Sequence, residues 1–282
     1  MLKIENIKKS YKGFQLDLSM EIENGSIVGL VGANGAGKST LFKAILGIVH
    51  KESGKIYLND KDITNLRTKD KELISVSMAE GFFPEAFNAK DIKATLKAMY
   101  KSFKSDWFDE KCRDFGLDMS KRMSDYSTGM KAKMKVIAAL SHNSKLLILD
   151  EPTQGLDVVT REEISEMIRG YIDEDEERMV IISSHISSDI EKICDRIYMI
   201  DKGKEIINAD TDVLISEYAI IRASEEEYKE LDKNYILATK KDKYSYSCLT
   251  DKKNFYLENY PKLIIEKTTL DEMLIMMIKG DK

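Results

Sequence analysis

The richest chemistry in this sequence lies in Gly32-Ala33-Asn34-Gly35-Ala36-Gly37-Lys38-Ser39-Thr40. Glycines at 32, 35 and 37 let the backbone curl with its N–H groups pointing inward, and they spare the Cβ atoms that would hold a phosphate away. A polyphosphate in that curl sits at a helix N-terminus, where unpaired N–H groups and the helix dipole favour anions. Lys38 adds a point charge for the β and γ phosphates, and the Ser39 hydroxyl is a ligand for Mg²⁺. The spacing G-x-x-x-x-G-K-S therefore predicts a nucleotide site.

Positioning such a loop requires a strand before it and a helix after it. Ile27-Val28-Gly29-Leu30-Val31 has the apolar character of a buried strand, and Leu41-Phe42-Lys43-Ala44-Ile45-Leu46 reads as a helix. Further along, Leu146-Leu147-Ile148-Leu149 is an unbroken aliphatic run, suited to a parallel strand covered on both faces and stopped by Pro152. Asp150 and Glu151 emerge at its carboxyl end, the edge of an open α/β sheet where ligands bind, and should face the phosphate loop. Val180-Ile181-Ile182-Ser183-Ser184-His185 is a second buried strand delivering a polar tip. Asp150 is placed to be a second metal ligand, Glu151 to orient and deprotonate an attacking water, and His185 to contact the γ-phosphate and that water.

The remaining pattern fills in around these parts. Leu2 to Ile7 and Phe14 to Met20 predict strands, with Tyr11 in a polar turn between them, its ring available to stack on an adenine. Leu73 to Met78 predicts a strand that ends at Ala79-Glu80-Gly81. From Pro84 to Asp125 the spacing turns helical, with many lysines, and predicts an inserted helical subdomain. Tyr126-Ser127-Thr128-Gly129-Met130 leads into a helix over Lys131 to Leu140. Gly155-Leu156-Asp157 precedes another from about Thr160 to Glu174, and Lys202-Gly203 predicts a hairpin. The fold class expected is α/β: a P-loop core over residues 1–210, with an antiparallel β subdomain and the helical subdomain at 84–125. A small α/β appendage is expected over 211–282. In that appendage Ser224 to Leu231 and Thr269 to Lys279 read as helices. Tyr235 to Ala238, Tyr244 to Leu249 and Phe255-Tyr256-Leu257 read as short strands.

Composition narrows the classes. The 282 residues carry 44 basic and 49 acidic side chains, net −5, which gives no electrostatic reason to expect nucleic acid as a partner. Cys112, Cys194 and Cys248 are scattered and form no C-x-x-C, so a disulfide framework or zinc site is not expected and a reducing compartment fits. The N-terminus has no export-signal pattern, and no apolar run approaches the roughly 20 residues that span a bilayer. Any membrane role must pass through another chain.

Taken together, residues 1 to about 210 resemble the ATP-binding subunit of ABC transporters, with the motifs in that family's order. Gly32 to Ser39 matches Walker A, Leu146 to Asp150 Walker B, and Glu151 the catalytic glutamate. Gly155-Leu156-Asp157 matches the D-loop, His185 the switch histidine and Tyr11 the adenine-stacking aromatic. Tyr126 to Met130 takes the place of the signature L-S-G-G-Q, keeping Ser127 and Gly129 while Thr128 and Met130 depart from it. These variants resemble exporters of drugs and peptide antibiotics of the ABC-2 type. Glu80 stands where the family carries the Q-loop glutamine; its oxygens still suit a metal, but its charge adds negative potential near the γ-phosphate.

The resemblance implies an ATPase using ATP and Mg²⁺. In it, nucleotide is held between the phosphate loop of one chain and the signature helix of a second ATP-binding subunit, a homodimer or heterodimer. Closing and opening of that dimer would drive a separately encoded polytopic permease from the cytoplasmic face of the membrane, through the helical insertion and the Glu80 loop. Phe82, Phe83, Phe87 and Trp107 are its candidate contacts or else subdomain core. The competing reading is a soluble ABC ATPase acting as an assembly or regulatory module. A P-loop kinase or GTPase fits less well, because it explains neither Ser127-Thr128-Gly129 nor His185.

Overall fold

The computed structural model describes residues 1–79, 83–184 and 187–281. Its first elements are β1 (Leu2–Tyr11), β2 (Phe14–Ile22), β3 (Ile27–Val31), α1 (Lys38–Ile45), β4 (Ser53–Leu58), β5 (Lys61–Asp62) and β6 (Ile74–Ser77). β1 and β2 alternate buried and exposed side chains, the pattern of strands with one wet face. They form an antiparallel sheet ordered β2-β1-β4-β5. β3 is instead buried at all five positions and belongs to a different layer.

The helical insertion follows as α2 (Ala89–Met99) and α3 (Ser105–Asp114). Asn88 starts α2 by accepting from the Lys90 and Asp91 N–H groups at 2.9 and 3.0 Å while Asp91 returns a bond to the Asn88 N–H. Such a reciprocal cap contributes roughly 1 kcal/mol. Ile92, Leu96, Phe108 and Cys112 bury the inner faces against α4 (Thr128–Leu140). Phe83, Phe87 and Trp107 are partly buried and pack on the same cluster, whereas Phe82 lies outside the described residues.

Next come β7 (Leu146–Asp150), α5 (Val158–Asp173), β8 (Met179–Ser183), α6 (Ser187–Ile193), β9 (Arg196–Asp201) and β10 (Lys204–Asp210). The central sheet runs β10-β9-β3-β8-β7-β6, parallel throughout except for β10. Because side chains alternate along a strand, β7 serves two cores at once. Leu146 and Ile148 face α1 and the antiparallel sheet, while Leu147 and Leu149 face α4, α5 and the insertion. Each fully buried aliphatic side chain stabilises the fold by roughly 1.5–3 kcal/mol relative to exposure.

Past Asp210 the chain forms α7 (Thr211–Glu217), β11 (Ala219–Ala223), α8 (Glu225–Glu230), β12 (Ile236–Lys241), β13 (Tyr246–Thr250), α9 (Lys253–Asn259), β14 (Ile264–Lys267) and α10 (Leu270–Lys279). A third sheet, β12-β13-β11-β14, is antiparallel. Thr269 caps α10 in a reciprocal pair with Glu272, as its position before the apolar run suggests.

Several elements differ from the sequence reading. Phe255-Tyr256-Leu257 is helical, in α9, where Tyr256 is wholly buried and lies 5.8 Å from Tyr260, one turn on. Aromatic types suggested a strand, but packing against Ile221 and Cys248 decides. β11, β14 and the short helices α6 and α7 had no clear signal. Tyr11 ends β1 rather than sitting in the turn, which is made by Lys12 and Gly13, the latter with φ +82°. α4 begins at Thr128, three residues before the predicted start. Among the described residues no helix is long and apolar enough to cross a membrane.

Candidate functional site

The loop from Gly32 to Gly37 joins β3 to α1, and its glycines are needed for packing more than for reach. A Cβ on Gly32 would lie 2.5 Å from the Ile200 carbonyl oxygen, and one on Gly37, at φ +117°, would lie 2.9 Å from the Phe14 ring. The reading that all three glycines make room for phosphate is thus corrected for these two. Only Gly35, at φ +81° with nothing within 4 Å of a built Cβ, is open. The Ala36 N–H closes a turn onto the Ala33 carbonyl at 3.0 Å, and the Ala36 carbonyl accepts from the Gly203 N–H at 2.8 Å. Ala33, Asn34 and Gly35 are exposed at the loop crest, Ser39 is exposed, and Thr40 is half-buried.

Lys38 is buried at the start of α1, and its ammonium donates to the Gly32 carbonyl at 2.5 Å. Burial lowers its pKa, while the carboxylates of Glu151 and Asp150 pull the other way. The charge is therefore poorly hydrated and held over the loop, where an anion gains most from it. Asp150 reaches the same place from the end of β7. Its Oδ2 accepts from the Ser39 hydroxyl at 3.3 Å, and its Oδ1 accepts from the Ser183 hydroxyl at 2.6 Å.

Glu151 leaves β7 with φ +53°, a left-handed conformation that costs a non-glycine residue on the order of 1 kcal/mol or more. Its N–H donates to the Ser183 carbonyl at 3.1 Å and hydroxyl at 3.2 Å, and these bonds hold the turn. Tyr11, 48% exposed, stands beside Phe14 with ring centroids 6.4 Å apart, and the Lys9 ammonium lies 5.2 Å from its ring. One cleft of about 520 Å³ collects Tyr11, the loop through Thr40, Asp150 and Glu151.

Ser127, Gly129 and Asp157 do not line that cleft. Ser127 caps α4 by accepting from the Met130 N–H at 3.2 Å. Gly129 packs on Thr160, with 3.4 Å to a built Cβ. Asp157 caps α5 through the Thr160 N–H at 3.0 Å and hydroxyl at 2.9 Å; these bonds lower its pKa. Glu80 and His185 lie outside the described residues. Ser183 and Phe14 were missed as site residues. The first hint of Ser183 was its place as the first polar residue after Val180-Ile181-Ile182.

The donor set fits a magnesium nucleotide. A hydroxyl and a carboxylate converge to 3.3 Å beside a helix N-terminus and a buried ammonium, all hard oxygen or cationic groups.

The sequence matches the ABC transporter family over residues 16–154. It is 34% identical over 216 residues to the lantibiotic transport ATP-binding protein SrtF of Streptococcus pyogenes, covering 75% of this chain and 92% of that one. It is 30% identical over 226 residues to the ABC transporter ATP-binding protein YtrB of Bacillus subtilis (strain 168), covering 79% and 76%. A solved ATP-binding subunit of an ABC transporter superposes with TM-score 0.68 at 22% identity, over 76% of this chain and 91% of that one, a likeness of fold. The chain belongs to the ATP-binding proteins of the ABC transporter family and has that family's ATPase core.

Proposed function

We propose that this chain hydrolyses ATP to power a separate membrane-embedded permease that exports a drug or peptide antibiotic, working from the cytoplasmic face of the membrane. The observation that carries the reading is the convergence of Ser39 on Asp150 at 3.3 Å beside buried Lys38. The lantibiotic transport named for SrtF supports the cargo class.

Lys38 exchanges its carbonyl partner for the β and γ phosphates, whose charge the loop N–H groups and the α1 N-terminus also meet. The Ser39 hydroxyl and the Asp150 carboxylate would hold Mg²⁺, which supplies charge neutralisation on the phosphates. Tyr11 stacks on the adenine. Glu151 orients the water and takes its proton as the O–P bond forms. His185 and Glu80, by their sequence positions, complete the set around the γ-phosphate. The residues 211–282 form an appendage outside this chemistry.

Ser127, Gly129 and Asp157 stand apart from their own chain's cleft, which supports their serving the cleft of a second ATP-binding subunit. The first N–H groups of α4 then aim at that subunit's γ-phosphate. Binding of two ATP molecules closes the pair, and hydrolysis reopens it.

Purified protein with Mg²⁺ and ATP tests this. Wild type should turn ATP over, Lys38→Ala should lose ATP affinity, and Glu151→Gln should trap ATP and elute as a dimer. No measurable ATP affinity with Lys38 intact would overturn the reading. Pull-down from detergent-solubilised membranes should recover a polytopic chain; recovery of soluble proteins alone would favour an assembly module instead.

A further inference from the structure

A second cleft, of about 250 Å³, adjoins the nucleotide cleft and shares Ala79, Asp150, Glu151 and Gln154 with it. Its far wall is one face of α4, where Lys131 and Lys135 stand one turn apart. Two like charges at that spacing oppose each other unless an anion lies between them. Lys135 is half-buried, and among the described residues its hydrogen-bond partner is a neutral group, the Ala79 carbonyl at 3.2 Å. Lys131 pairs with Glu85 at 3.1 Å, but the Glu85 side chain is 74% exposed, so that pair is weak and readily exchanged.

The cleft thus has an acidic mouth toward the reacting phosphate and a cationic wall behind it. A dianion formed beside Asp150 and Glu151, whose charges the metal and the transferred proton offset, is attracted past them to the two ammonium groups. The volume suffices for a phosphate with several waters at about 30 Å³ each. We infer that Lys131 and Lys135 form a staging site for inorganic phosphate, the route by which hydrolysis product leaves toward the helical insertion. This rests on the ATPase reading above. Cleavage balances as ATP and water giving ADP, hydrogen phosphate and a proton, and the site takes the hydrogen phosphate alone.

Pulse acetylation with an N-hydroxysuccinimide ester, read by mass spectrometry, tests binding without hydrolysis. Inorganic phosphate should slow labelling of Lys135 about threefold relative to chloride at equal ionic strength. The protection should persist in Lys38→Ala, which separates it from the phosphate loop. Equal labelling in the two salts overturns the site. In single turnovers the Lys131→Gln/Lys135→Gln double variant should lower the ratio of phosphate release to ATP cleavage about tenfold, with Lys135→Arg restoring it. Release that keeps pace with cleavage in the double variant also overturns the site, since it makes the lysines packing elements of α4. Protection by phosphate in a protein that never cleaves ATP would sink the ATPase reading and leave the anion site standing.

Discussion

Ser183 and Asp150 are paired across β8 and β7, and the Ser183 hydroxyl donates to Asp150 Oδ1 at 2.6 Å while Ser39 approaches Oδ2 at 3.3 Å. Both carboxylate oxygens are engaged, so the plane of the group is fixed before a metal arrives. Ser183→Ala frees one edge. The Mg²⁺ concentration for half-maximal ATPase should rise about tenfold or more, as for other residues that orient a metal ligand. An unchanged Mg²⁺ dependence in a folded variant would remove Ser183 from that role.

Gly203 ties three elements together. Its N–H donates to the Ala36 carbonyl and its carbonyl accepts from the Asp17 N–H, both at 2.8 Å, while φ is +77°. A Cβ there would meet the Gln15 carbonyl at 2.0 Å. Gly203→Ala should destabilise by more than about 2 kcal/mol, a fall in Tm of about 5 °C or more, and weaken ATP binding with it. Thermal melts with and without nucleotide read both effects.

His142 is buried and stacked on Tyr100, ring centroids 3.8 Å apart and planes at 7°, with Nε2 3.2 Å from the Ser75 hydroxyl. Burial pushes its pKa down from 6.5 to about 4. Between those values the unfolded chain binds a proton that the folded chain refuses, so stability falls as pH drops through that window. The loss is about 3 kcal/mol when complete. His142→Phe keeps the stack, and its urea midpoints from pH 7 to 4.5 should decline less steeply than those of wild type. Parallel declines would assign the acid limb to carboxylates.

Tyr11 stands half-exposed at the mouth of the cleft. Tyr11→Ala should raise the ATP dissociation constant about tenfold, the worth of a lost base stack, and Tyr11→Phe about twofold at most. Equilibrium dialysis distinguishes them. Equal affinity for all three proteins would leave the base unstacked.

The core was legible where one physical demand dominated. Leu146 to Leu149 could only be a strand covered on both sides, and β7 is buried at every position. The phosphate loop, the acids after it and the Thr269 cap were legible for the same reason: local chemistry alone specifies them. Where distant packing decides, the signal failed. Tyr256 is helical because Ile221 and Cys248 receive it, and β14 exists because β11 offers an edge. Gly32 and Gly37 were credited to the ligand, but Ile200 and Phe14 require them. Ser183 matters through a neighbour 33 positions away, a pairing no local pattern records.

The close approach of Gly129 to Thr160 joins two helices. Thr160 is bonded to Asp157 by both its N–H and its hydroxyl, so the first turn of α4 bears on the cap of α5. α2 and α3 pack on α4 as well, so one helix backs both the insertion and the threonine that Asp157 holds.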